Sequence, residues 1–143
     1  MDEREELYIG GNWISPNGKG SIEVMNPATE EIIGKVPIAN SEDLDLAINS
    51  AKDAFISWSN SSIETRIDYL NRLTTAIKEN SEMMAQLITS EVGTPIEYSR
   101  MAMVGTPRVV TRSYAKILES FEWEEEVRNS LIVKEPVGIV GMI

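Results

Sequence analysis

The chain contains neither cysteine nor histidine. Without a thiol or an imidazole, its own residues cannot supply a thiolate nucleophile, an imidazole base or a Cys/His zinc site. The lack of cysteine also excludes a disulfide scaffold and removes one reason to expect secretion. The most common catalytic arrangements are therefore excluded for these 143 residues alone.

Positive charge and long apolar runs are also scarce. The 13 Lys and Arg residues are outnumbered by 23 Asp and Glu residues, and the net charge of −10 opposes binding to nucleic acid or to an anionic membrane surface. No apolar stretch approaches the roughly 20 residues of a membrane-spanning helix, and a signal-peptide pattern is absent. We expect a cytoplasmic protein that binds neither nucleic acid nor membrane.

The residues that are present predict one domain with three successive stretches. The first, residues 7–37, predicts two small β-hairpins. In "LYIGGNWI", Gly10 and Gly11 stand between two short apolar runs, as a tight turn with positive φ angles requires. In "SIEVMNPATEEIIGKVP", the turn residues Asn26 and Pro27 separate two alternating segments.

The second stretch, residues 41–121, predicts a bundle of amphipathic helices. Apolar residues recur at helical spacing, and Ser41 is a candidate N-cap for the first helix. Ser61 and Glu64 have the spacing of a capping box for the second helix. Asn80 or Ser81 is expected to open the third.

The end of the third helix and the course of the fourth also follow from local signals. Gly93 suits a left-handed C-cap. Thr94 is then expected to cap a fourth helix with Pro95 in its first turn, and we expect a kink at residues 105–107, where "GTP" interrupts the helical pattern.

The third stretch, residues 123–134, predicts an extended ribbon with a turn at residues 128–130, and it leads into an uncharged run at residues 137–143. The segment "GIVGMI" in this run allows two interpretations. Two glycines three residues apart lack the third glycine and the Lys of a nucleotide-binding loop, so a buried strand is favoured over a phosphate loop.

The order of six segments resembles the N-terminal part of the NAD(P)-dependent aldehyde dehydrogenase superfamily. The segments are "YIGGNWI", "IEVMNPATEEIIGKVP", "AINSAKDAFISW", "ETRIDYLNRLTTAI", "ITSEVGTP" and "KEPVGIVGMI". One departure is Thr94, where members usually have Lys, and it puts the substrate subgroup in doubt.

This resemblance implies an α/β, aldehyde dehydrogenase-like fold of which residues 1–143 are an N-terminal fragment. The hairpins at 7–37 and the helices at 41–121 would be followed by the start of the oligomerisation ribbon at 123–134. Residues 137–143 would form the first strand of an incomplete Rossmann-like sheet.

The implied reaction of the whole protein is oxidation of an aldehyde to a carboxylic acid with NAD or NADP. In the family a Cys thiolate attacks the carbonyl, hydride passes to the nicotinamide, and a Glu-activated water releases the acid. None of these groups lies within this chain, so the chain by itself is expected to be inactive and to hold the dinucleotide weakly at most.

The resemblance also implies a few site residues. Ile143 matches a position beside the dinucleotide, with core packing as the alternative role. Val24, Met25 and Glu91 match positions that hold a monovalent cation in several members, the first two through backbone carbonyls, with an empty loop as the alternative. The ribbon at residues 123–134 implies subunit contacts and hence a homo-oligomer.

Two functional classes remain open from the sequence. The first is a fragment of an aldehyde dehydrogenase without its catalytic part. The second is a self-standing helical interaction module without enzymatic activity. Because the sequence stops on an apolar run without a polar tail, the fragment is the favoured interpretation.

Overall fold

The computed structural model describes residues 2–3 and 5–142. The strands are β1 (Asp2–Glu3), β2 (Leu7–Ile9), β3 (Asn12–Ile14), β4 (Ser21–Met25), β5 (Ile32–Pro37), β6 (Glu124–Val127) and β7 (Ser130–Val133). The helices are α1 (Ser41–Ser59), α2 (Ile63–Glu79), α3 (Ser81–Val92), α4 (Ile96–Tyr98) and α5 (Thr106–Leu118). A π-helical segment, Ser99–Gly105, joins α4 to α5.

Both hairpins predicted from the sequence are confirmed. Strands β2 and β3 pair antiparallel around Gly10 and Gly11, whose φ angles are 62° and 83°. Only glycine adopts such angles at little cost, so the two-residue turn depends on this pair. Strands β4 and β5 also pair antiparallel, and β1 adds a short parallel neighbour on the far side of β5, which the sequence did not indicate.

Helix α1 begins one residue earlier than expected, because its N-cap is Asn40 and not Ser41. The backbone of Asn40 is extended, and its side-chain oxygen accepts hydrogen bonds from the backbone N–H groups of Glu42 (3.0 Å) and Asp43 (3.1 Å). Asp43 returns the interaction by accepting from Asn40 N at 2.9 Å. This reciprocal capping box satisfies donors that the first helical turn otherwise leaves unpaired.

Asp43 also ties the loop between β3 and β4 to the start of α1. Its side chain accepts from Asn17 N (2.8 Å), Asn17 Nδ2 (2.9 Å) and Gly18 N (3.1 Å), and the residue is only 1% exposed. The backbone hydrogen bonds from Asn17 and then Asn40 hold the pKa of Asp43 below its ordinary value, against the opposing effect of burial. One carboxylate thus joins segments about 25 residues apart.

Helix α2 is capped by Ser62, so the expected capping box of Ser61 with Glu64 is wrong. The Ser62 hydroxyl accepts from Thr65 N at 3.2 Å, whereas the Ser61 hydroxyl donates to the carbonyl of Trp58 at 2.6 Å. Ser61 therefore bonds to the last turn of α1, and Ser62 is the N-cap of α2. The pKa of Glu64 is lowered first by a hydrogen bond from its own backbone N–H and second by the Ser62 side chain.

Arg66 fastens the ribbon to the corner between α1 and α2. Its Nη2 donates to the carbonyls of Trp58 and Ser59, both at 3.0 Å. The guanidinium carbon lies 5.4 Å from the Trp58 ring centroid and 6.0 Å from that of Trp123, distances suited to cation–π attraction. From Trp123 the chain enters the antiparallel pair β6–β7, so the ribbon predicted at residues 123–134 is present as a hairpin.

At residues 105–107, where a kink is expected, the π-helical segment changes to α5, with helical backbone angles at Gly105 and Thr106. Pro107 lacks an N–H and falls in the first turn of α5, where no intrahelical donor is needed. The wider π turn thus accommodates the proline without a break.

The apolar core is small. Helix α2 packs against α5, and α3 packs against the π-helical segment. Among the described residues, the fully buried apolar side chains are Ala85, Val104 and Ala115, whereas large apolar side chains such as Ile56 and Met101 are each 72% exposed. None of the described helices combines the length and the apolar character needed to cross a membrane.

The strand expected at residues 137–143 is not formed in the described part, residues 137–142, which has no regular secondary structure. Val137 is 95% exposed and Met142 is fully exposed. A strand requires a neighbour for its backbone hydrogen bonds, and no strand among the described residues pairs with this segment. This apolar segment therefore has no strand partner within the described residues.

The environment of Asp43 predicts a specific pH dependence of stability. Because its folded pKa lies below the unfolded value, its contribution is complete above the ordinary value of 3.8 and is lost as the pH falls through the lowered pKa. We expect Asp43→Asn to flatten the acid limb of the unfolding free energy measured in urea. The exposed Asp45→Asn should retain the wild-type limb, and parallel curves for all three proteins would contradict the assignment.

Candidate functional site

Val24 and Met25, two of the expected cation ligands, lie where the pairing of β4 with β5 becomes irregular. Val24 is opposite Gly34, but Met25 is opposite Ile32, so Ile33 is left between them as a bulge. A bulge interrupts the regular hydrogen-bond ladder and redirects backbone groups. The main-chain carbonyls of Val24 and Met25 lie opposite this bulge.

The turn after Met25 packs against the end of α3. Asn26 organises the turn, because its side chain accepts from Ala28 N at 2.9 Å and its carbonyl accepts from Glu30 N at 2.8 Å. Pro27 then lies against Gly93, where a β-carbon would stand 2.7 Å from Pro27 Cγ. The structure therefore joins the end of β4 to the C-terminal end of α3.

Glu91, the third expected ligand, stands in the last turn of α3, two residues before this contact. It is exposed, and its side chain makes no hydrogen bond or ion pair with the other described residues. The last turn contains no basic residue, and the carbonyl end of a helix carries partial negative charge. Both features favour a cation near this end of α3.

The chemistry of this set suits a hard, weakly charged ion. No group of three or more Asp, Glu, His or Cys side chains within residues 5–142 is arranged to hold a metal. A site here would consist of one carboxylate and main-chain carbonyls, which are oxygen ligands of low total charge. The donor set thus fits a monovalent cation better than zinc or another transition metal.

Ile143, the expected dinucleotide contact, lies outside the described residues. The preceding residues 137–142 form no strand, and the described residues contain no glycine-rich turn leading into a helix. The described part of the chain thus contains no strand and glycine-rich turn of the kind that holds a dinucleotide.

Thr94 does not cap the fourth helix as expected. Its hydroxyl lies 2.6 Å from the hydroxyl of Ser99, which in turn lies 2.8 Å from the hydroxyl of Thr89. Ser99 is completely buried, so this pair of hydrogen bonds satisfies its hydroxyl away from water. Thr94 therefore connects the end of α3 to the start of the π-helical segment.

Arg100 forms a second connection between the same two elements. Its Nε and Nη2 donate to the two oxygens of Glu82 at 2.9 and 2.7 Å, and its Nη1 donates to Glu97. Hydrogen bonds from Arg100, and secondly from Gln86, lower the pKa of Glu82, while the two carboxylates raise that of Arg100. The spacing of Glu97 and Arg100 could have signalled a local pair, but Glu82 lies too far away in sequence for any local pattern to indicate it.

Comparison with known proteins identifies the family. The model of the aldehyde dehydrogenase family matches residues 13–143. The chain belongs to the aldehyde dehydrogenase family. A 3-succinoylsemialdehyde-pyridine dehydrogenase from Pseudomonas sp. is 34% identical over 146 aligned positions, which cover all of this chain and 30% of that protein. The chain thus spans about 30% of the length of the curated relatives that it matches.

Solved structures show the same fold. An aldehyde dehydrogenase C from Pseudomonas syringae, in complex with NAD⁺ and octanal, superposes with a TM-score of 0.90 at 32% identity, covering 93% of this chain and 27% of that one. A Mycobacterium tuberculosis aldehyde dehydrogenase complexed with NAD⁺ has a TM-score of 0.88 at 27% identity, covering 95% and 29%. The aldehyde dehydrogenase-like fold expected from the sequence is confirmed.

The contact between Pro27 and Gly93 can be tested by a matched pair of substitutions. Gly93 has a φ angle of 79° and Gly11 one of 83°, but only at Gly93 would a β-carbon meet another residue. Gly11→Ala is expected to cost about 1–2 kcal/mol of unfolding free energy through backbone strain alone. Gly93→Ala should cost more, because Pro27 must also move. Equal losses in urea titrations would contradict the packing of Pro27 on α3.

Proposed function

We propose that this chain is the N-terminal portion of an enzyme that oxidises aldehydes to carboxylic acids with NAD or NADP. The observation that carries the proposal is the match of the aldehyde dehydrogenase family model across residues 13–143. Family structures solved with NAD⁺, one of them also with octanal, support the same reaction class.

The role of these 143 residues in that enzyme is structural. They contain no thiol and no imidazole, so the nucleophile of the proposed reaction must come from outside them. What the chain provides is the packed arrangement of hairpins and helices, from which residues 137–143 would lead toward the dinucleotide at Ile143. Transition-state stabilisation cannot arise from groups that are absent.

The purified chain is therefore expected to show no aldehyde-dependent reduction of NAD⁺ or NADP⁺ with aliphatic or aromatic aldehydes. A chimera in which the chain replaces the matching 30% of the Pseudomonas 3-succinoylsemialdehyde-pyridine dehydrogenase should regain such activity. Turnover by the isolated chain would contradict the proposal that the nucleophile comes from outside these 143 residues. A folded, dinucleotide-binding chimera without activity would contradict the proposed function and favour an interaction module.

We further propose that Val24, Met25 and Glu91 contribute to a site for a monovalent cation. The register shift between Val24 and Met25, the packing of the following turn on Gly93 and the unpaired, exposed carboxylate of Glu91 support this. An ion that joins β4 to the end of α3 would bind the folded chain and not the unfolded one. Its binding would then raise stability by mass action.

Melting temperatures measured at matched ionic strength in KCl, NaCl and choline chloride should differ, with choline giving the lowest value. Glu91→Gln should remove the difference, because it removes the charged ligand. Glu79→Gln is the matched control, since Glu79 also stands exposed at the end of a helix, α2, far from the bulge in sequence. Identical melting curves in the three salts would indicate an empty loop.

We also propose that the ribbon makes subunit contacts. Leu131, Ile132 and Val133 of β7 are each about half exposed, and β7 has a paired neighbour on one side only among the described strands. An exposed, apolar edge strand is a template for pairing with another chain. A second copy of β7 would satisfy the open edge and cover the apolar side chains.

Light scattering coupled to size exclusion should therefore show an oligomer for the wild-type chain. Ile132→Lys should shift it toward the monomer, because a charge on the edge opposes pairing. Thr75→Lys, at an exposed position of α2, adds the same charge away from the ribbon and should leave the oligomer intact. A wild-type monomer at micromolar concentration would refute the proposal.

A further inference from the structure

Asn17 and Gly18 form the only Asn-Gly step in the sequence. They lie in the loop between β3 and β4, where Asn17 is exposed to solvent. In such a step the glycine nitrogen attacks the side-chain carboxamide carbon of asparagine, because no glycine side chain hinders its approach. A carbon–nitrogen bond forms and ammonia leaves. Water then opens the resulting succinimide ring to aspartate or isoaspartate.

Both reacting groups are held by Asp43. Gly18 N, the nucleophile, donates to Asp43 Oδ2 at 3.1 Å, and Asn17 Nδ2, part of the leaving group, donates to Asp43 Oδ1 at 2.9 Å. The attack requires Gly18 N to lose its proton, and a carboxylate at hydrogen-bond distance opposes the negative charge that then develops. Ring closure must also break both hydrogen bonds. The docked loop is thus expected to react more slowly than an open one.

The products are incompatible with the docked loop. An aspartate at position 17 would replace a donor with a carboxylate beside the buried carboxylate of Asp43, so an attraction becomes a repulsion between like charges. An isoaspartate would insert an extra backbone carbon before Gly18, where there is no room. Even a β-carbon on Gly18 would lie 1.9 Å from the carbonyl oxygen of Ile38. The loop is further fixed by a hydrogen bond from Ile38 N to Gly20 O at 3.1 Å.

We propose that Asn17–Gly18 is a deamidation site guarded by Asp43, and that its conversion to aspartate or isoaspartate irreversibly releases residues 15–20 from the start of α1. The reaction consumes one water and releases one ammonia, and it needs no other reactant. The fraction of Asn17 that has been converted therefore reports how often this loop has opened.

The guarding is tested by peptide mass mapping of the full chain incubated at mildly alkaline pH, with and without denaturant. Conversion at Asn17 should be roughly tenfold slower or more in the native chain, because only locally opened molecules react. Asn129, in the exposed β6–β7 turn, serves as the internal control, because its conversion should change little on denaturation. Native Asp43→Asn should approach the denatured rate. If Asn17 converts in the native wild-type chain as fast as in the denatured chain, or faster, the proposed protection by Asp43 is wrong. This outcome does not depend on whether Asp43→Asn folds.

The release is tested by limited trypsin digestion, because the exposed Lys19 lies within the loop. Cleavage after Lys19 should be faster in Asn17→Asp, and in deamidated chain isolated by ion exchange, than in the unmodified chain. Asn129→Asp adds the same charge at a distant turn and should leave that cleavage unchanged. Equal cleavage after Lys19 in all four samples overturns the release.

Discussion

The hydrogen bonds to the Asp43 carboxylate are the contact on which the arrangement of hairpins and helices depends. Each of its oxygens accepts two hydrogen bonds, Oδ1 from Asn17 and Oδ2 from Gly18 and Asn40. Three of these donors are backbone N–H groups in a loop and at a helix start, where no regular structure would satisfy them. Removing the carboxylate would therefore leave the loop and the cap without partners at the same time.

Buried hydrogen bonds of this kind matter more to stability here because little apolar surface is buried. The described core consists of small side chains such as Ala85 and Ala115 together with Val104, while many large apolar side chains remain exposed. Hydrophobic stabilisation scales with the apolar area removed from water, so the exposed helix faces contribute little. The relatives of this chain are about three times longer. The exposed apolar helix faces are therefore surfaces on which further protein can pack.

Local patterns predicted the elements well and their connections poorly. Periodicity located α1 to α3, and glycine chemistry located the β2–β3 turn and the left-handed cap at Gly93. The N-caps were misplaced by one residue because Asn40–Ser41 and Ser61–Ser62 each offer two adjacent cap formers. Only tertiary context decides between them. The contact of Asp43 with Asn17 was not predictable, since nothing in either segment marks the other. The candidate cation ligands came from family resemblance alone, because backbone carbonyls have no sequence signature.

Two tertiary contacts hold opposite ends of the β4–β5 hairpin. Asp43 fixes the open end, where the loop of residues 15–20 meets the residues that follow β5, and Pro27 fixes the turn end against Gly93 at the end of α3. The position of Met25 relative to Glu91 is therefore set by both contacts. A change at Asn17 or Asp43 would remove the hydrogen bonds at the open end of the hairpin and leave the contact of Pro27 with Gly93 as the one that holds the turn end.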